Sequence, residues 1–262
     1  MPRMDTAFDR FRASLTGNNV PGAIHEGLIG LKAKVSGPFG PKPLVYADYV
    51  ASGRALTQVE TFIMDEVLPF YANSHTEGSF CGSMMTRLRG EARREIARLV
   101  GAEAEGAHAV IFTGSGATAG LNRLVHILGV AEAARLGQRP AVLIGPYEHH
   151  SNILPWRESG ADVIEIPESA DGGPDLGFLR DELTRLGSGR LVVGAFSAAS
   201  NVTGIVTDVA AVTSILKAAG AISIWDYAGG GPYLPIAMQP SADTAIDAVA
   251  PGTLIRPSRR RA

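Results

Sequence analysis

Cysteine is nearly absent: the 262-residue chain has one, Cys81. An intramolecular disulfide framework is therefore excluded, and a single thiol fits a reducing compartment. Long apolar runs are missing as well. No stretch approaches the roughly 18 apolar residues of a membrane span, and the start, MPRMDTAFDRFRAS, lacks the apolar core of a secretory leader. Neither sign of charge is in excess. Lys and Arg number 24 against 26 Asp and Glu, which gives no general electrostatic reason to expect nucleic acid or membrane partners. Lysine is scarce, present only as Lys32, Lys34, Lys42 and Lys217. These absences leave an ordinary globular chain, expected in the cytoplasm. A hydrophobic content of 45% over this length is enough for one large domain, with or without a small appendage.

Residues 1–43 read as an N-terminal arm, with a short helix near 5–14, another near 22–33, and Gly and Pro gathered in SGPFGPKP (36–43). LVYAD (44–48) reads as a short extended run. TQVETFIMDEVLPF (57–70) has helical spacing behind Thr57 as a candidate N-cap. SMMTRLRGEARREIARLVGA (83–102) is a stronger helix, with Met84, Leu88, Ala92, Ile96 and Leu99 on one face. From 109 onward short apolar runs alternate with helical patterns. Strands are expected at 109–114, 141–145, 162–167, 190–197, 221–226 and from 245. Helices are expected at 116–129, from 151, at 175–186 and at 207–220, the last closed by Gly220. That alternation predicts an α/β fold, a mostly parallel sheet with helices on both faces.

In such sheets ligands sit outside the carboxyl ends of the strands, and four polar clusters fall there. TGSGATAGLN (113–122) joins a strand to a helix, and its small residues and free N–H groups can hold a phosphate. It also matches the dinucleotide pattern G-x-G-x-x-A. However, the strand that follows ends in Gly145 and Pro146 without the acidic residue that would bind a ribose. GPYEHHSN (145–152) sets two histidines after a strand; one could stack on a ring, and no local spacing suggests a metal site. FSAASNVTG (196–204) offers Asn201 as a donor to a phenolate-like oxygen. In AISIWDYAGG (221–230), Asp226 could pair with a protonated pyridine nitrogen and make the ring an electron sink. Each cluster alone is equally compatible with turn or capping chemistry; the order of the four is the specific observation.

In these motifs the chain resembles the class V aminotransferase superfamily, the group of cysteine desulfurases, selenocysteine lyases and kynureninase-like enzymes. The likeness runs from about Tyr46 to Val249. It is carried by YADYVASG, ANSHTEGS, the arginine-rich helix, IFTGSGATAGLN, EHHSNILPW, SNVTG and WDYAGGGPYLPIAM. The resemblance implies the large domain of a fold type I pyridoxal 5′-phosphate (PLP) enzyme over 44–249, incomplete at its C-terminal end, a transferase or lyase acting on an amino acid as its small-molecule substrate. It implies that Gly116, Ala117 and Thr118 form the phosphate turn, that His149 stacks on the cofactor ring and relays protons, that Asn201 meets the ring hydroxyl, and that Asp226 meets the ring nitrogen. It places Asp48, Ala51, Ser52 and His75 on the substrate side. Intact relatives are homodimers.

Three departures accompany the likeness. Gly229 stands where desulfurases often carry glutamine. The S-x-H-K segment, whose lysine forms the Schiff base, is expected about two dozen residues after Asp226; here IDAV is followed by APGTLIRPSRRRA. The rest of the large domain and the C-terminal small domain of relatives have no counterpart, and with them go the arginine that grips the substrate carboxylate and a downstream catalytic cysteine, which Cys81 does not match. The expectation is a chain truncated or frame-shifted before that lysine, with 250–262 a basic tail outside the family pattern and catalysis impaired. The alternative is a non-catalytic protein that binds PLP or a phosphometabolite.

Overall fold

The computed structural model describes residues 6–17, 19–102, 108–238 and 241–251. The expected basic tail lies outside the described residues from position 252 on. The chain divides into two compact units, residues 1–96 and 97–262.

In the first unit, α1 (Ala7–Ser14) starts where a helix was expected. The Thr6 hydroxyl accepts from Asp9 N–H at 3.1 Å, and the Asp9 carboxylate accepts from Thr6 N–H at 3.1 Å, closing a capping box. The second helix, α2 (Val20–Glu26), stops well short of residue 33. The chain after it is diverted into a bridge between Leu28 and Leu56 and then a hairpin, β1 (Lys34–Val35) with β2 (Lys42–Pro43). LVYAD is not a strand: beyond the Leu44 N–H to Ala33 bond at 2.9 Å it has no ladder partner. Leu56, not Thr57, occupies the N-cap of α3 (Thr57–Phe62). The helical path then loosens into a π turn over 63–67 and a 3₁₀ turn over 68–70, where Pro69 has no N–H to continue the α pattern. The helix α4 (Phe80–Leu99) begins three residues earlier than its sequence pattern suggested. Its buried positions are Gly82 and Met85, while Met84, Leu88, Ala92, Ile96 and Leu99 are only half-buried. A Cβ at Gly82 would stand 2.3 Å from the Thr76 methyl, so the close approach of the preceding loop decides which face is covered.

The second unit holds the expected sheet. Its order is β4 (Asp162–Glu165), β3 (Ala141–Ile144), β5 (Val192–Ser197), β6 (Ile222–Asp226) and β7 (Ala248–Ala250), all parallel. Alternating side chains build two cores. Val142, Ile144, Val193, Ala195 and Ile224 pack under α5 (Gly116–Ile127), α6 (Val130–Arg135) and α7 (Leu154–Glu158). Leu143, Phe196 and Trp225 pack under α8 (Leu176–Leu186) and α9 (Val209–Ala218). The period of two in the strands therefore delivers both faces to helices, as a near-continuous apolar run requires.

Gly194 in β5 marks the tightest approach. A Cβ there would lie 2.4 Å from Leu216 of α9, a fully buried side chain. Gly194→Ala is expected to cost about 1–3 kcal/mol by overpacking. Urea unfolding would check this, and a variant as stable as the parent would contradict the packing.

Two expectations need correction here. AVIFTG (109–114) forms no strand, and Ile111 and Phe112 stay about half exposed. The helix expected over 116–129 ends at Ile127, and Gly129, at φ +66°, separates it from α6.

Candidate active site

Three of the polar clusters follow the carboxyl ends of β3, β5 and β6, which parallel pairing aligns: Ile144 is opposite Ala195, and Ser197 is opposite Asp226. The start of α5 comes first. Gly114 (φ +99°) and Gly116 (φ +64°) turn the chain through conformations that disfavour other residues, and open space surrounds the position a Cβ would occupy at each. Gly116 N–H is spent on the Gly114 carbonyl at 2.8 Å. Ser115, at the N-cap, makes no side-chain capping bond. The next N–H groups, of Ala117 and Thr118, thus head a twelve-residue helix without a side-chain cap, beside an exposed Thr118 hydroxyl. This is the donor set an anion needs.

The turn 148–152 packs against α5 and β5. His149 is exposed, and its Nδ1 accepts from Ser151 N–H at 3.2 Å, with the Ser151 hydroxyl at 2.7 Å. Because a backbone N–H can only donate, that nitrogen is an acceptor and the other, Nε2, carries the proton of the neutral ring. The ring of His150 lies against it, with centroids 3.8 Å apart and planes tilted by 39°. The two adjacent histidines therefore stack on each other. No cluster of metal-ligating side chains occurs among the described residues.

Asp226 ends β6 and is 5% exposed. One carboxylate oxygen accepts from Ala228 N–H at 2.8 Å; the other has no hydrogen bond among the described residues. Burial raises its pKa above the usual carboxylate range, while the Ala228 N–H and the charge of His149 pull it back down. A cation arriving at the free oxygen would relieve the desolvation. Asn201 sits on the exposed turn that follows β5, a turn organised by the Ser200 hydroxyl accepting from Val202 and Thr203 N–H at 3.2 and 3.1 Å. The strand end leading into it is tied to β6 by Ala198 N–H donating to the Asp226 carbonyl at 2.9 Å. The side chain of Asn201 makes no hydrogen bond among the described residues.

Sequence reading passed over the group that binds these ends together. The Glu148 carboxylate accepts from Ser197 N–H at 2.7 Å, from the Ser197 hydroxyl at 2.6 Å and from the Asn152 amide at 2.6 Å. Asn152 in turn accepts from the fully buried Trp156 indole at 3.1 Å. Burial pushes the Glu148 carboxyl up to about 7, against the lowering effect of its three donors and helped by the charge of Asp226. The signal was present: an acid four residues past a buried strand needs partners, and a serine ends the neighbouring one.

Asp48, Ala51, Ser52 and His75 belong to the first unit. Asp48 accepts from Ala51 N–H at 3.3 Å, and its carbonyl from Ser52 N–H at 3.2 Å, which closes a compact turn. His75 adopts φ +74°, costly for a residue with a Cβ. It is held there by its N–H donating to the Thr86 hydroxyl at 3.0 Å and by Arg89 at 2.6 Å from Nε2. A guanidinium can only donate, so Nε2 accepts and Nδ1 carries the proton.

Comparison with known proteins decides the family, because the profile described as "Aminotransferase class-V" matches residues 45–250. The chain belongs to the class-V aminotransferase family. Within that family it is 29% identical over 201 residues to a protein of Halalkalibacterium halodurans described as "probable cysteine desulfurase", covering 75% of this chain and 47% of that one. A Vibrio cholerae protein of the same description is 30% identical over 196 residues, covering 72% and 45%. The chain spans about half the length of the curated relatives it matches. Among solved structures, the cysteine desulfurase CsdA of Escherichia coli superposes with a TM-score of 0.60 at 26% identity, over 86% of this chain and 52% of that one. The apo cysteine desulfurase of Thermococcus onnurineus shares the fold, with a TM-score of 0.64 at 24% identity over 78% and 48%. Among the described residues no helix is long and apolar enough to cross a membrane.

Lys217 pairs with Asp247 at 2.6 Å and is 28% exposed. It ends α9 just before β6 begins, at the amino edge of the sheet, whereas Asp226 is at the carboxyl edge. No other lysine occurs in residues 97–262.

Proposed function

We propose that this is a PLP-binding chain of cysteine desulfurase type, from a lineage of transferases and lyases that act on an amino acid, and that these 262 residues by themselves are catalytically impaired. What supports the reading is the His149 turn, which packs against α5 and β5 and acts on the Asp226 carboxylate, together with the start of α5, which has no side-chain cap. Their chemistry suits an anion, an aromatic face and a ring cation, which is the polarity of PLP from end to end. When bound, that cofactor supplies an electron sink for an amino acid's Cα or side-chain bonds.

The chain's own residues do the rest. Ala117 and Thr118 N–H groups would hold the phosphate at the positive end of the helix. His149 would present its ring face, and Nε2, which makes no hydrogen bond among the described residues, is the nitrogen at which a proton would be exchanged. Asp226 would keep the ring nitrogen protonated, and Asn201 would donate to the ring oxygen. We place Asp48, Ala51, Ser52 and His75 on the substrate side, and a homodimer as the state of an intact protein, in the cytoplasm. Lys217, held by Asp247 at the opposite sheet edge, favours a second reading in which the chain retains PLP or a phosphometabolite without turning over substrate.

Equilibrium dialysis against PLP, together with sulfide release from cysteine, tests both readings. Saturable binding that His149→Ala weakens, with sulfide release at the background rate, is the expected result. Borohydride reduction is expected to leave Lys217 without a specific adduct. Turnover well above background would overturn the impairment, and absence of saturable binding would overturn the cofactor reading.

A further inference from the structure

Glu148 has no part in the cofactor contacts just described, yet its surroundings are the most restrictive at this sheet edge. Two of its three donors cannot reverse. Ser197 N–H is backbone, and the Asn152 amide is fixed in orientation because its oxygen already accepts from the Trp156 indole. The carboxylate also leaves no room above it: a Cβ at Gly145 would stand 2.8 Å from Glu148 Oε1 and 3.1 Å from the Phe196 ring. One side chain thus fastens the turn that bears His149 to the last residue of β5, which is paired in the sheet with Asp226.

We propose that Glu148 is the positioning residue of this site, its ionised carboxylate clasping the His149 turn to the strand end beside Asp226 and so fixing the ring platform; this rests on the cofactor reading above. Ionised, the group accepts three charge-assisted bonds. Protonated, it must donate to the Ser197 hydroxyl, the one partner able to turn round, and the clasp becomes a set of neutral bonds. The charged neighbour acting on it is Asp226 on β6; β5 and the turn present Ser197 and Asn152, which do not titrate, and the charge of His149 acts on Asp226. Asp226 and an ionised Glu148 together favour a ring cation.

Folding and binding then respond oppositely to pH. The folded pKa of Glu148, about 7, is above its ordinary value of 4.5. The folded chain therefore keeps a proton that the unfolded chain sheds, and stability falls as pH rises from 4.5 through 7. The clasp tightens over the same interval. A residue serving only the fold would show stability and binding moving together.

The experiment measures PLP affinity by equilibrium dialysis at pH 6 and pH 8, and thermal midpoints from pH 5 to 8, for the wild type, Glu148→Gln and Ser197→Ala. A glutamine must set its NH₂ against one of the two fixed donors. Glu148→Gln is therefore expected to bind about tenfold more weakly at pH 8, the effect of one charge-assisted hydrogen bond. The difference should shrink at pH 6, and the thermal midpoint should fall less steeply with rising pH than in the wild type. Titration of the PLP phosphate is common to all three proteins and drops out of the comparison. If Glu148→Gln does not fold, Ser197→Ala, which keeps the backbone donor, must show the weaker binding at pH 8. Variant affinities equal to wild type at both pH values would overturn the inference alone. A wild type that binds no PLP at either pH would overturn the cofactor reading and the inference with it.

Discussion

Asp226→Asn is expected to weaken PLP binding by about 10²-fold or more, the cost of leaving a desolvated ring cation without its counter-charge. The same substitution should raise stability at neutral pH. Burial holds the Asp226 pKa above its ordinary value of 3.8, so the folded chain binds a proton there more tightly than the unfolded chain does. Its contribution is fully present at low pH and is lost as pH rises through the folded value. Asparagine never ionises and can still accept from Ala228 N–H, so it escapes that loss. Dialysis at pH 8 measures the first effect and thermal midpoints at pH 5 and 8 the second. Unchanged affinity would show that no ring cation meets this carboxylate. A lower midpoint at pH 8 would show that the carboxylate is held for the fold and not for a ligand.

The largest effect on folding is expected at Trp156. The side chain is fully buried under β3 and β5, and its indole N–H donates to Asn152 at 3.1 Å. Trp156→Ala should cost about 3–5 kcal/mol from lost burial and the cavity left behind. A further 1 kcal/mol or so follows from stranding the Asn152 oxygen. That is a large part of the about 5–15 kcal/mol available to a domain. Trp156→Phe refills much of the volume and strands only the oxygen, so about 1–3 kcal/mol is expected. Urea unfolding of the two variants separates the terms. Equal losses in both would mean the hydrogen bond dominates, and a loss below 2 kcal/mol in the alanine variant would contradict the packing. Because Asn152 also donates to Glu148, the phenylalanine variant should bind PLP more weakly than its stability alone would suggest.

The sheet was legible because its signals are local and strong. AVLI is apolar at every position and ISIW at all but Ser223, as suits a strand covered on both faces. Asp175 and Asp208 announce α8 and α9 by capping their first N–H groups. AVIFTG carries the same apolar signal and is no strand, since a ladder needs a neighbour and sequence does not say whether one is beside it. The 57–70 helix failed for a local reason that could have been weighed: Pro69 cannot donate. On α4, the covered face follows from the loop that crosses Gly82, a contact no periodicity contains.

The chain's order of residues determined the alternation of strand and helix, the edge on which polar groups collect and the chemical type of each group, because hydrophobic period, caps and strand ends are written in neighbouring residues. Only the tertiary structure decided that Ser197, forty-nine positions away, would complete the partners of Glu148, and that Lys217 would face Asp247 across thirty. Only it decided that His149 would act on Asp226. The reason is physical: hydrogen bonds and electrostatic interactions act over a few ångströms of space, and parallel pairing brings together residues that the chain itself keeps far apart.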